Sequence, residues 1–320
     1  MRTYGPGKPL VFSHIPKTAG TSLRSVLQEA LTPTVFVGGL DQSLFGGYQE
    51  LATIRGAARA SIIASPDELP ADVTLIAAHI APGTTMARFP DADHITFLRT
   101  PEVRLLSQWI HSRSLSEFDL RWWGPSAEAF RVARLPLKDY LQHRRTAPLT
   151  DNTITRFLSW PDPLLPDADF IAEADDEAVL GAALDRLDRF AHVDVVENPR
   201  FMADFGTWFG RELPDTRLNE RTAMPARMRP DLDVELAPAT RELLHHRSRL
   251  DRRVWEHVAL RVLPDADPAE VMDAARQKSI ERYRTLLAGP PIKSRPVRRA
   301  AELVYDTGYK LNPRHWRRSG

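Results

Sequence analysis

Leu10-Val11-Phe12-Ser13-His14-Ile15-Pro16-Lys17-Thr18-Ala19-Gly20-Thr21-Ser22-Leu23 is the stretch whose reading decides the fold. Leu10–Phe12 is a short apolar run suited to a buried strand, and it breaks off at Ser13-His14-Ile15-Pro16. From Thr21 to Leu31 the apolar positions Leu23, Val26, Leu27 and Ala30 follow the helical period. A strand therefore passes into a helix through a loop of small and polar residues. The order returns downstream. Val35–Val37 predicts a second strand, Val73–Ala78 a third that stops at His79 with Pro82-Gly83 turning the chain, and His94–Leu98 a fourth. The last runs straight into a helix opened by Pro101, with Val103, Leu105, Leu106, Trp109 and Ile110 apolar. Strands alternating with helices predict an α/β fold with a central parallel sheet flanked by helices.

Between the second and third strands lie a Gly-rich stretch (Gly38, Gly39, Gly46, Gly47) and an ambiguous helical segment around 48–60. From Ser116 to about Asp175 the pattern is helical pieces split by prolines, without strands. Asp175–Phe190 predicts a helix, Ala191–Val196 a strand, and 199–210, 238–249, 251–263 and 268–288 further helices. Asp267 as N-cap, Pro268 in the first turn and Gly289 as the stop delimit the last of these. The expected organisation is a main domain over 8–263, a C-terminal helix over 264–290 and a basic tail over 291–320.

Composition narrows the classes. The 320 residues are 42% hydrophobic and 27% charged, which is globular. Lys+Arg 43 against Asp+Glu 42 leaves +1, so net charge points to no nucleic-acid partner. Within the 43 only six are lysine, so Lys17 stands out against 37 arginines. The absence of cysteine excludes disulfides, thiolate metal sites and thiol nucleophiles. The N-terminus carries no signal-peptide pattern and no apolar run reaches the length of a membrane span, so the expected location is cytoplasmic.

The loop carries its own chemistry. Backbone N–H groups at a helix N-terminus, joined to its dipole, form a ready phosphate site. Ala19 and Gly20 allow close approach, Thr18, Thr21 and Ser22 add hydroxyls, and Lys17 adds a compact point charge. The nucleotide-triphosphatase consensus Gly-x-x-x-x-Gly-Lys-Ser/Thr is not matched, because Lys17 precedes Gly20. That order weakens an ATPase, GTPase or kinase reading.

His14-Ile15-Pro16-Lys17-Thr18-Ala19-Gly20-Thr21-Ser22 resembles the phosphosulfate-binding loop of the sulfotransferases related to heparan sulfate 2-O-sulfotransferase. A second segment, Phe97-Leu98-Arg99-Thr100-Pro101-Glu102-Val103-Arg104-Leu105-Leu106-Ser107, is similar to that family's 3′-phosphate segment, with Arg99 and Ser107 at the two gripping positions. Arg104 between them reads as an exposed helix arginine. The resemblance covers roughly 10–260 and implies a P-loop-NTPase-like sheet with a helical acceptor-side insertion and a helical C-terminal extension. It further implies 3′-phosphoadenosine 5′-phosphosulfate as donor, an acceptor hydroxyl on a carbohydrate, and no metal.

Sulfuryl transfer needs a base for the acceptor hydroxyl and a cation for the departing phosphate. His79 ends an apolar strand, where open α/β sheets place their ligands, and a catalytic histidine occupies a comparable strand end in the resembling family. His79 is therefore the expected base, with His14 its rival and His94 a weaker one because it starts a strand. Asp151-Asn152-Thr153-Ile154-Thr155-Arg156 resembles an Asn-x-Gln-Thr-Arg element of the family, with Ile154 in place of the Gln; Asn152 and Arg156 are the substrate-side candidates. Against this stands a plain helix cap and a solvated arginine. Leu218-Asn219 matches a further short element, the Arg221–Arg229 stretch either folds over the nucleotide or forms a basic loop, and Trp122-Trp123 either stacks on a sugar or packs in the core.

Rival functions are sulfation of a lipid or secondary-metabolite hydroxyl, a nucleotide-dependent kinase, and a catalytically silent nucleotide- or glycan-binding protein. The tail at 291–320, with eight basic and two acidic residues, fits either a solvated end or a peripheral contact with an anionic membrane.

Overall fold

The structure, a computed structural model, describes residues 4–5, 7–44, 51–214, 224 and 226–289. Leu218-Asn219, Gly46-Gly47, part of the Arg221–Arg229 stretch and the basic tail lie outside them.

The described strands are β1 (Leu10–Ser13), β2 (Phe36–Val37), β3 (Leu40–Asp41), β4 (Ile62–Ile63), β5 (Leu75–Ala78), β6 (Asp93–Leu98) and β7 (His192–Val195). Five of them form one parallel sheet in the order β2-β5-β1-β6-β7. β1 lies at the centre, with Phe12 level with Ala77 on one side and with Ile95 on the other. Every side chain of β1, β5 and β6 is buried, the pattern of a parallel sheet covered on both faces; β1 and β5 are nearly all apolar, whereas β6 also buries Asp93, His94 and Thr96.

Alternation sends Leu10 and Phe12 to one face and Val11 to the other. On the first face lie α1 (Gly20–Leu31), through Leu23 and Leu27, and α6 (Phe201–Phe209), through Phe205 and Trp208. Each such fully buried aromatic or leucine contributes roughly 1.5–3 kcal/mol of transfer free energy. The opposite side is covered by α4 (Thr153–Ser159), α5 (Asp176–Leu187) and α8 (Arg249–Val262), whose Phe157, Val179 and Trp255 share a cluster with Val193 and Val195 of β7.

Two sequence expectations need correction. Pro82-Gly83 does not turn the chain but opens α2 (Pro82–Arg88), proline being preset for the first helical turn. The Asp41 carboxylate accepts from Ala81 N (2.9 Å) and Thr84 Oγ1 (2.7 Å) and so fixes that helix start. Gly83 is required there, since a Cβ would lie 2.1 Å from the Trp160 carbonyl. The Gly-rich stretch also contributes structure: β3 pairs with β4 in a second, two-stranded parallel sheet, too short for a periodicity argument to find.

The helix opened by Pro101 is α3 (Pro101–Ser114), almost wholly buried. Against it pack the short helices of 117–150, α7 (Pro238–Arg247) and α9 (Pro268–Ala288), with Trp109, Tyr140, Leu244 and Tyr283 in one cluster. Arg229 donates to the carbonyls of Leu287 (2.6 Å) and Gly289 (2.7 Å), so this end of the arginine-rich stretch is tied to the end of α9.

Candidate functional site

The C-terminal ends of β5, β1 and β6 lie side by side, and from them emerge His79, the His14–Gly20 loop and Arg99. The sheet order thus brings together residues that are 65 and 82 positions apart in the chain.

The loop is held in an unusual conformation. Lys17 (φ 71°) and Ala19 (φ 63°) are both left-handed without being glycine, a cost of order 1–3 kcal/mol each. Thr18 Oγ1 donates to the Ile15 carbonyl at 2.9 Å, and Arg99 Nη1 donates to the Lys17 carbonyl at 3.2 Å. The His14 imidazole stacks on Phe12 and lies over Gly20, where a Cβ would fall 1.9 Å from His14 Cδ2. No side chain caps the start of α1. The first-turn amides are therefore left to backbone, solvent or an anion.

Lys17 pairs with no acidic side chain among the described residues, and its pKa is lowered to about 8 by burial and by the charges of Arg99 and Arg104. A half-buried cation among cations is an arrangement that an anionic ligand relieves. Arg99 has no carboxylate partner among the described residues either, and Ser107 is buried two turns along α3.

His79 Nδ1 lies 2.5 Å from the His14 carbonyl oxygen. A carbonyl only accepts, so Nδ1 carries the proton and Nε2 keeps its lone pair. The backbone of His79 is clamped as well, donating to Gly39 O (2.9 Å) and accepting from Asp41 N (3.0 Å). Its pKa falls to about 4, chiefly through burial; the bond to His14 opposes the shift, and the charges of Lys17 and Arg24 add to it. The His14 ring lies 4.2 Å from that of His79 and is itself pushed well below the usual histidine range by burial, His79 and Lys17.

Other expectations fare differently. His94 sits near the start of β6, at the opposite end of the sheet, with Nε2 3.2 Å from Thr85 Oγ1. Asn152 (φ 48°) and Arg156 are buried and spent on structure. Asn152 Oδ1 accepts from Leu250 N (2.8 Å), and Arg156 pairs with Asp151 (3.1 Å) while donating to the carbonyls of Asp151, Pro166 and Asp169. The structure joins this element to α8 rather than to the loop: Asp251 accepts from Ile154 N and Thr155 N. Arg104 is not an exposed helix arginine but is 1% exposed. Its Nη2 donates to Thr153 Oγ1 (2.9 Å) and Leu149 O (3.3 Å), while Nε and Nη1 are buried without a partner. Trp122 is 41% exposed with Arg121 over its ring, whereas Trp123 is half-buried against Ile54 and Phe130.

The site contains one residue that sequence reading overlooked. His111, one turn beyond Ser107 on α3, is exposed to solvent and electrostatically coupled to both Lys17 and His79. Its spacing of four from Ser107 was the available signal.

The fold and this arrangement define an α/β protein with a cationic loop and a neutral histidine at the C-terminal edge of its parallel sheet. The chain matches no family model and no curated protein. Among the described residues no cluster of ligand side chains could hold a metal ion, and no helix is long and apolar enough to cross a membrane.

Proposed function

We propose that this protein is a sulfotransferase that moves a sulfuryl group from 3′-phosphoadenosine 5′-phosphosulfate to an acceptor hydroxyl, most simply that of a carbohydrate. The observation that carries this reading is the adjacency of Lys17 and a lone-pair-bearing His79 Nε2 at neighbouring strand ends. Two further features support it: the uncapped N-terminus of α1 and the anchoring of Arg99 to the Lys17 carbonyl. In this reading the sheet is of the P-loop-NTPase-like kind and residues 116–150 form the acceptor-side insertion.

Pro16, Lys17, Thr18, Ala19, Gly20, Thr21 and Ser22 would bind the 5′-phosphosulfate through loop amides, hydroxyls and the ammonium. Arg99 and Ser107 would grip the 3′-phosphate. His79 Nε2 would take the acceptor proton as the acceptor oxygen bonds to sulfur. The bond from sulfur to the phosphate oxygen breaks, its electron pair leaves with 3′-phosphoadenosine 5′-phosphate, and Lys17 stabilises the charge that develops there. The chemistry needs no redox partner.

Calorimetry with 3′-phosphoadenosine 5′-phosphate tests the donor half. Micromolar binding that weakens at least tenfold in Arg99→Ala is expected; no binding, or binding indifferent to that substitution, overturns the reading.

A further inference from the structure

At the end of the sheet away from the loop lies a cavity of about 180 Å³. Residues far apart in sequence build it. Lys8 comes two residues before β1, Asp91 two before β6 and Arg189 three before β7, and because these strands are neighbours in the sheet their N-terminal ends converge. Met86 in the last turn of α2 and Pro90 just beyond it complete the wall. His94 is 3% exposed, whereas Lys8, Asp91 and Arg189 are exposed, so the imidazole forms the inner wall and the charges form the rim. At about 30 Å³ per water molecule the cavity equals several waters, room for one tetrahedral oxyanion.

The inner wall is fixed and uncharged. His94 Nδ1 donates to the Ala92 carbonyl at 3.2 Å and Nε2 lies 3.2 Å from Thr85 Oγ1, so both ring nitrogens are committed. Its pKa is lowered to about 4, chiefly through burial; the bond to Ala92 opposes the shift and the Arg189 charge adds to it. The charge of the cavity is therefore that of its rim, two cations against the Asp91 carboxylate. Neither Lys8 nor Arg189 has an ion pair or a side-chain hydrogen bond among the described residues. Asp93, the next carboxylate in the chain, does not line the cavity; it is buried and accepts from Gly5 N at 3.5 Å.

Lys8 and Arg189 attract an oxyanion, and Asp91 decides which one. A carboxylate beside a bound anion repels it unless the anion brings an O–H to donate. At neutral pH orthophosphate keeps such a proton and sulfate keeps none. We propose that this cavity binds a phosphate group that carries an O–H donor, either free orthophosphate or a hydroxylated phosphate ester, gripped by Lys8 and Arg189 and selected against sulfate by Asp91. A phosphate held there ties together the starts of β1, β6 and β7. The site is distinct from the β1–α1 loop, and the proposal stands whatever that loop binds.

The test is calorimetry at pH 7.5 with sodium phosphate, glucose 6-phosphate and sodium sulfate. Each is titrated into the full wild-type chain and into Lys17→Met, which tells anions held by the loop from those held by the cavity. Both chains should bind phosphate with millimolar or tighter affinity, and Lys17→Met should bind sulfate at least about fivefold more weakly. Lys8→Gln and Arg189→Gln change exposed side chains, and each should weaken phosphate at least about fivefold. Asp91→Asn should narrow the gap between phosphate and sulfate. Tighter binding of orthophosphate assigns the site to the free ion and tighter binding of glucose 6-phosphate assigns it to an ester; either supports the proposal. No binding of either phosphate ligand overturns it, as does binding that is lost in Lys17→Met but indifferent to Arg189→Gln. Sulfate bound as tightly as phosphate by Lys17→Met, or a gap that survives Asp91→Asn, overturns it as well.

Discussion

His79 Nδ1 donates to the carbonyl of His14 across 2.5 Å, and that one bond decides which nitrogen of His79 faces chemistry. His79→Asn can keep the donor to His14 while removing the basic nitrogen. Its kcat is expected to fall by a factor of about 10² to 10⁴, the usual contribution of a general base, with nucleotide binding intact. Because the pKa of His79 is lowered to about 4, kcat/KM of the wild type should not decline between pH 8 and pH 6, where an ordinary histidine would protonate. A rate that halves near pH 6.5, or an active His79→Asn, removes His79 from the role of base.

Lys17 makes a second prediction through linkage. Its pKa is about 8 in the free protein, lowered by burial and by Arg99 and Arg104. A bound polyanion offsets all three, so the pKa rises on binding and a proton is taken up. At pH 8 the uptake should approach about half a proton per nucleotide, and affinity should weaken as pH climbs above 8. Calorimetry in two buffers of different ionisation enthalpy measures the uptake directly. Zero uptake at pH 8, or an effect that persists in Lys17→Met, means that Lys17 does not meet the anion.

Arg104 is expected to act on stability. It is buried, ties α3 to α4 and lies close enough to the buried Asp251 for the two charges to favour each other. Arg104→Ala removes that cation from Asp251 and leaves the Leu149 carbonyl and Thr153 without their donor. A loss of about 3 kcal/mol in denaturant unfolding is expected, in line with breaking a buried charge interaction. A change under about 1 kcal/mol would mean that Asp251 needs only its bonds to Ile154 and Thr155.

The contrast between Arg99 and Arg104 shows what was legible in the sequence. Strand, loop and helix at 10–31 follow from local pattern alone, as do the strand ends at His79 and Arg99. Local pattern places β1, β5 and β6 in sequence but not in space, and the sheet order that gathers His14, His79 and Arg99 comes from long-range pairing. Arg104 reads as a surface residue because nothing nearby in sequence reveals that α4 and α8 cover that side of α3. The structural partners of Asn152 and Arg156 are hidden from local pattern for the same reason: Leu250 and Pro166 to Asp169 become their neighbours only after folding. His111 needed the opposite information, that one turn of a buried helix remains open to solvent.

Asp194 yields a prediction in which the sign of the pH dependence is decisive. It is 1% exposed on β7, accepts from Val195 N (2.7 Å) and Asn198 Nδ2 (3.1 Å), and has Asp204 nearby. Burial above all, with the Asp204 charge adding, raises its pKa to about 6 from 3.8, although the hydrogen bonds oppose the shift. Between those two values the folded protein holds a proton that the unfolded chain has released, so this group's stabilising contribution is full below pH 3.8 and lost as pH rises through 6. At pH 7.5 the ionised, buried carboxylate therefore costs about 3 kcal/mol relative to acid pH. Asp194→Asn keeps the shape and the acceptor oxygen but cannot ionise. It should stabilise the protein at pH 7.5 by up to about that amount, and its advantage over wild type should shrink steadily as pH falls from 7 toward 4. Taking the difference between the two proteins at each pH cancels the common contribution of His79, His94 and His192, whose pKa values are lowered to about 4. Denaturant titrations of both proteins at pH 7.5, 6.5 and 5.5 give that difference; one that stays constant across the series means that Asp194 does not titrate in this window.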